Sequence, residues 1–243
     1  MTDLPTLLEP ISSRGWPPEI SEALGAWRLH AAQGYSGRAN ACWPLGDPDR
    51  PLDEAIAAVE AWYGGRGLPP LFRPAEIDAT RDLRQALGER GYRARTETLV
   101  MVGPLAVGDG TDAVRLSDKP DADFCRVFLA TAVDEKDAAE RIQTIGRLAP
   151  PRAFARLDLN GAPAAIGATA VEGQWTGLFG MRTVAEHRRK GLALRIIATL
   201  SRFSIEAGAA RAYLQVEAAN APAVALYERL GFETAYRYRY WAQ

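Results

Sequence analysis

The sequence predicts an α/β protein with a mixed, partly parallel sheet, arranged as two tandem units of which the first is incomplete. Three observations lead there. Strand-like and helix-like segments alternate in both halves, and in the second half they follow a three-strand meander. A helical pattern recurs at one spacing: Leu52, Ile56, Ala58 and Tyr63 stand 140 residues before Leu192, Ile196, Ala198 and Phe203. Gly91-Tyr92 stands the same 140 residues before Gly231-Phe232. Each of these pairs closes a helical pattern and enters an alternating strand, so duplication of one α/β unit explains both matches at a single unbroken offset.

The elements follow in order. In the first unit, residues 1–103, a short helix over 18–24 precedes strands over 27–32 and 37–44. A helix over 52–64, a strand over 71–74, a helix over 80–89 and a strand over 92–102 complete it. Its aromatic residues Trp16, Trp27, Tyr35, Trp43, Trp62 and Tyr63 read as packing. Residues 103–112 form the linker, where Gly103, Pro104, Gly108 and Gly110 break any periodicity. The second unit, residues 111–243, opens with a strand over 113–116 and helices over 122–132 and 135–148. The meander runs over 153–158, 164–171 and 176–184, with Asn160-Gly161 and Glu172-Gly173 as hairpin turns. Pro163 lacks an N–H and belongs in the first of those turns. A helix over 192–206, a strand over 212–217, a helix over 221–230 and a strand over 234–241 close the chain.

Composition excludes several classes. The 243 residues are 47% hydrophobic and 24% charged, the balance of a soluble globular protein rather than a disordered chain. Twenty-nine Lys and Arg against 30 Asp and Glu leave a net charge of −1, without the basic excess that nucleic acid requires. The two cysteines, Cys42 and Cys125, form no CxxC pair and suit a reducing cytoplasm. Two histidines cannot build a His-rich metal site, so no metal is expected. Residues 1–10 lack the features of a secretion signal, and the longest apolar runs, such as 99–102, are far too short to span a membrane.

The chemistry is concentrated between the strand ending near Val184 and the helix opening at Leu192. Arg188, Arg189 and Lys190 precede Gly191, and Ala193 keeps the first helical turn free of bulk. A helix N-terminus presents unpaired N–H groups and partial positive charge, and a glycine lets the backbone approach an anion closely. That arrangement reads as a pyrophosphate cradle, although a solvated charged turn fits the same residues. It is neither a GxxxxGK[ST] loop nor a GxGxxG fingerprint. Further on, Asn220 is a good helix N-cap, Pro222 is tolerated in the first turn, and Gly231 with Phe232 ends the helix. Tyr227 lies two turns beyond Asn220 on nearly the same face.

In this order and context, Arg188-x-x-Gly191-x-Ala193 resembles the coenzyme A pyrophosphate loop of the GNAT N-acetyltransferases. The segment from Asn220 through Leu226-Tyr227 to Gly231-Phe232 resembles their carboxy-terminal motif. The resemblance covers residues 111–243. It implies acetyl-CoA as acyl donor, held by Arg188, Arg189, Lys190, Gly191, Leu192, Ala193 and Asn220. It also places Met181, Arg182 and Thr183 among the cofactor-binding residues, with backbone hydrogen bonds to the pantetheine arm from Met181 and Thr183 and the intervening Arg182 on the opposite face. Tyr227 inherits protonation of the departing thiolate. The acceptor, a small-molecule amine or a protein amino group, would lie between strands 176–184 and 212–217. Strand 176–184 holds no carboxylate, so Glu217 and a water chain both stand as the base that deprotonates the amine. A non-catalytic acyl-CoA sensor is the rival expectation, and monomer and homodimer are both open.

The first unit lacks this chemistry. At the 140-residue offset Arg188 meets Pro48, Gly191 meets Pro51, Ala193 meets Asp53, Asn220 meets Thr80 and Tyr227 meets Leu87. Pro51 has no N–H to donate, and Asp53 would repel a phosphate. The first unit thus resembles a degenerate GNAT domain.

Overall fold

Leu4–Arg14 form helix α1, which the sequence reading did not anticipate. Pro5 stands in the first helical turn, where the missing N–H is harmless, and Glu9, Ser12 and Ser13 are buried on the inner face. The computed structural model describes residues 3–106, 108 and 113–243. Positions 107 and 109–112 of the expected linker lie outside the described residues.

The expected helix over 18–24 is instead strand β1, Ile20–Leu24. Pro17-Pro18 resembles a helix start, but the chain turns back at Gly25 (φ 55°) and pairs Leu24 with Trp27. β1 is antiparallel to β2, Trp27–Ala31, and β2 pairs with β3, Cys42–Trp43, in a three-stranded sheet. The expected strand over 37–44 is shorter than foreseen, because a 3₁₀ turn occupies Gly37–Ala39. Helix α2 spans Leu52–Gly64 and α3 spans Arg81–Glu89. The strand expected over 71–74 survives only as bridges, Phe72 to Cys42 and Trp241, and Ala75 to Tyr238. β4 follows at Arg93–Gly103.

Next come β5 (Val114–Ser117), α4 (Ala122–Leu129) and α5 (Glu135–Gly146). Asp121 and Asp134 cap the two helices by accepting the amides of Phe124 and Asp137. β6 (Arg152–Leu159), β7 (Ala162–Glu172) and β8 (Trp175–Thr183) form the meander. Pro163 lies inside β7 rather than in the turn, opposite Asp158 where the register shifts, and an irregularity of this kind admits a residue without an N–H. Then follow α6 (Leu192–Glu206), β9 (Arg211–Glu217), α7 (Ala221–Arg229) and β10 (Glu233–Ala242). Seven strands form one mixed sheet in the order β10-β4-β9-β8-β7-β6-β5, antiparallel from β5 to β8 and parallel between β8 and β9.

Contacts group the chain into two units. One comprises Met1–Val100, Val216–Val224 and Thr234–Gln243; the other comprises Met101–Gln215 and Ala225–Glu233. In the first, α2 and α3 bury Ile56, Val59, Tyr63, Leu83 and Leu87 against Trp27, Phe72 and Tyr92. Each such side chain contributes about 1.5–3 kcal/mol on burial. Trp16 and Trp43 are also buried, whereas Tyr35 is exposed. In the second, Phe124 meets Phe154 edge-on at 5.5 Å, and α6 buries Ile196, Ile197 and Leu200.

Element bounds repeat at the offset seen in the sequence. α2 and α6 begin 140 residues apart, α3 and α7 both begin and end so, and β4 and β10 begin so. Asp49 (φ 59°) and Arg189 (φ 60°) repeat it in backbone conformation, as do Gly91 (φ 87°) and Gly231 (φ 82°).

Candidate active site

The opening of the site is set by register. β8 and β9 pair in parallel from Trp175–Arg211 to Leu178–Leu214, and no register between them continues beyond that point among the described residues. There β8 carries an irregularity against β7. Ile166 faces Arg182 and Ala168 faces Phe179, so Gly180 and Met181 both lie opposite Gly167. An extra residue of this kind bends a strand and takes its backbone out of the ladder. The strand expected over 176–184 runs straight through Gly180 (φ 58°); that glycine is the signal the sequence reading missed, since an isolated glycine in a strand marks such a bend.

The residues at the end of β8 then separate by role. The Met181 thioether lies over Gly167, beside Ile196 and Leu200 of α6. Arg182 is turned away: its Nε donates to the Phe128 carbonyl at 3.3 Å. Burial, reinforced by the nearby Arg141 charge, lowers the Arg182 pKa. The Thr183 carbonyl accepts Arg188 Nε at 3.4 Å, and Val184 N–H returns to the Ala164 carbonyl at 2.9 Å.

A 3₁₀ turn over Ala185–His187 leads into the loop. Arg188, Arg189 and Lys190 are all exposed. The Lys190 ammonium lies 3.4 Å from His187 Nδ1, a pairing the sequence reading did not single out. Gly191 is the α6 N-cap at φ 75° and offers no side chain to the first N–H groups of the helix. A Cβ there would meet nothing within 4 Å, so the requirement for glycine is conformational and the space above it is open. Leu192 is buried and pins the first turn, while Ala193 is half-buried. Deeper in the unit, the Thr176 hydroxyl bonds Thr169 at 2.6 Å and Ser204 of α6 at 2.9 Å, which fixes the helix on the sheet.

The remaining candidates lie along β9 and α7. Glu217 ends β9 exposed, its carbonyl accepting Asn220 N–H at 2.9 Å. Asn220 caps α7: its carbonyl accepts the amides of Ala223 and Val224 at 3.0 Å each, and Oδ1 accepts Ala223 N–H at 3.4 Å. Tyr227 is 7% exposed, with its ring 5.8 Å from that of Phe232. Burial alone pushes its hydroxyl pKa up to about 12, so it holds its proton at neutral pH. Phe232 N–H closes the helix on the Tyr227 carbonyl at 3.0 Å, and Tyr92 N–H does the same to Leu87 at 3.0 Å. Leucine thus stands in the first unit where the second has the tyrosine. No group of three or more His, Cys, Asp or Glu side chains that could hold a metal occurs among the described residues, and no helix there is long and apolar enough to cross a membrane.

A meander, a parallel strand that parts from its neighbour where a bulge begins, and a cationic loop capped by a left-handed glycine are the features of an N-acetyltransferase of the GNAT type, an acyl-CoA-dependent enzyme class. The family model described as "Probable histone acetyltransferase Rv0428c C-terminal" matches residues 6–241, and the chain belongs to that family. A relative, the uncharacterized N-acetyltransferase YobR of Bacillus subtilis (strain 168), is 26% identical over 240 residues, 96% of each chain. Among solved structures, a GCN5-related N-acetyltransferase from Kribbella flavida has a TM-score of 0.69 at 17% identity, covering 100% of this chain and 96% of its own. A tandem GNAT protein from the clavulanic acid biosynthesis pathway has a TM-score of 0.55 at 15% identity, covering 79% of this chain and 69% of its own. The last two likenesses are of fold.

Proposed function

We propose that the second repeat, residues 111–243, transfers an acetyl group from acetyl-CoA directly to an amine. The observation that carries this is the loop: three exposed cations and a left-handed Gly191 ahead of an α6 whose first N–H groups receive no side-chain cap. These features suit a pyrophosphate, with Arg188, Arg189 and Lys190 supplying charge and the amides of Gly191, Leu192 and Ala193 supplying hydrogen bonds. Acetyl-CoA, when bound, supplies the activated thioester. The backbone of Met181 and Thr183 orients the pantetheine arm, and Asn220 contacts the cofactor. Glu217, or water, takes the proton of the incoming ammonium, and the Tyr227 hydroxyl gives a proton to the departing thiolate. Arg182, committed to the Phe128 carbonyl, supports the strand from behind rather than touching the ligand.

The first unit is a degenerate GNAT-like repeat without a cofactor site, and the division at 1–103 and 111–243 describes the duplication along the sequence. The repeated element bounds support this. So do Pro51 at the α2 N-cap, Asp53 in its first turn and Leu87 in place of tyrosine. The tandem arrangement of the clavulanic acid pathway protein offers a parallel. For the acceptor, the description of the family favours a protein amino group, and a small-molecule amine is the second class to screen. Two free cysteines, Cys42 and Cys125, fit a cytoplasmic enzyme, as a monomer or homodimer. Tyr227→Phe tests the assignment. Loss of the proton donor should lower kcat by about 10²-fold with acetyl-CoA affinity unchanged. Unchanged turnover would remove Tyr227 from that role.

A further inference from the structure

The chain has three lysines, Lys119, Lys136 and Lys190, among 29 cationic residues. All three are exposed, so accessibility does not distinguish them. Their surroundings do. Lys119 lies between Asp118 and Asp121, and Lys136 lies between Glu135 and Asp137 in an acidic first helical turn. Lys190 alone follows two arginines, Arg188 and Arg189, and its nitrogen sits 3.4 Å from the ring nitrogen Nδ1 of His187. An anionic electrophile is drawn more strongly to this amine than to the other two, where Asp118 and Glu135 remain beside the lysines although Arg156 and Arg141 pair with Asp121 and Asp137. In the tautomer with Nδ1 unprotonated, the imidazole is placed to accept a hydrogen bond, and in a reaction a proton, from the ammonium.

We propose that Lys190 is a modification site at which a small acyl phosphate acylates the chain, and that the modification lowers affinity for acetyl-CoA. The second half of this statement rests on the loop being the cofactor site. In the step, the Lys190 ammonium gives one proton to His187, and the free amine attacks the acyl carbon. The carbon–nitrogen bond forms as the bond from carbon to the phosphate oxygen breaks. Inorganic phosphate leaves with that electron pair and takes up the second proton of the nitrogen. The product is a neutral amide in place of one of three loop cations.

The test uses the full chain and acetyl phosphate, with peptide mass mapping of all three lysines over time. Lys190 should be acetylated at least about fivefold faster than Lys119 and Lys136. His187→Ala should slow Lys190 alone, and added coenzyme A should protect Lys190 alone. After modification, acetyl-CoA should bind roughly three- to tenfold more weakly, and Lys190→Arg should abolish that sensitivity to acetyl phosphate. Equal rates at the three lysines, or no effect of His187→Ala, would overturn the modification site. Selective acetylation of a chain whose unmodified form binds no acetyl-CoA would overturn the regulatory half and, separately, the cofactor loop.

Discussion

The Arg73 guanidinium holds the Glu9 carboxylate through two hydrogen bonds, of 2.6 and 3.1 Å, with both side chains withdrawn from water. Trp43 and Tyr238 lie at 3.6 Å from the guanidinium carbon, and the Tyr236 hydroxyl adds a third hydrogen bond to Glu9 at 2.7 Å. This cluster ties α1, β3, the segment at Phe72–Ala75 and β10 together within the contact unit of Met1–Val100, Val216–Val224 and Thr234–Gln243. Glu9→Ala leaves a buried cation unpaired, which costs about 3–5 kcal/mol. Urea unfolding should report that loss; a change under about 1 kcal/mol would show that the pair is dispensable.

His30 sits beside this cluster, 2% exposed, with Nε2 3.2 Å from the Ser13 hydroxyl. Desolvation, with the charges of Arg73 and Arg28, lowers its pKa from 6.5 to about 4. The folded state therefore resists protonation that the unfolded chain accepts. Its contribution to stability is complete above pH 6.5, falls as pH drops towards about 4, and is flat below that. The total is about 3 kcal/mol. In His30→Gln, the decline in unfolding free energy between about pH 6.5 and 4 should shrink by a comparable amount. An unchanged slope would contradict a neutral buried imidazole.

Arg189 holds φ at 60°, a region that costs a non-glycine residue roughly 1–2 kcal/mol. Arg189→Gly relieves that strain but adds freedom to the unfolded chain, for a net gain of about 0.5–1 kcal/mol. Gly191→Ala runs the other way, losing about 1 kcal/mol through φ alone, since a Cβ finds open space there. Thermal unfolding of both variants should move in opposite directions.

Much of this architecture is legible in the sequence because local signals agree with tertiary need. The apolar spacing of α2 and α6 sets their inner faces, and both begin and end where the pattern says they do. The cationic loop before α6 is legible for the same reason, being one contiguous stretch with its glycine in place. β1 is not, because Pro17-Pro18 imitates a helix start and the deciding partner, β2, lies beyond the turn. α1 is masked by Pro5 and Pro10 and by buried polar residues whose partners are remote. Glu9 meets Arg73 across 64 positions and Tyr236 across 227, and no local pattern announces either contact. The parting of β8 from β9 depends on register at Gly180, which one strand's sequence suggests but does not determine.

The proposal that the Arg188–Ala193 loop holds the cofactor is tested most directly by calorimetric titration of acetyl-CoA into the wild type and Gly191→Glu. The variant places a carboxylate and a strained backbone where the pyrophosphate would lie. Saturable binding at one site per chain, abolished in a folded variant, is the expected result. A second site would contradict the degenerate first unit, and undiminished binding in Gly191→Glu would contradict the loop itself.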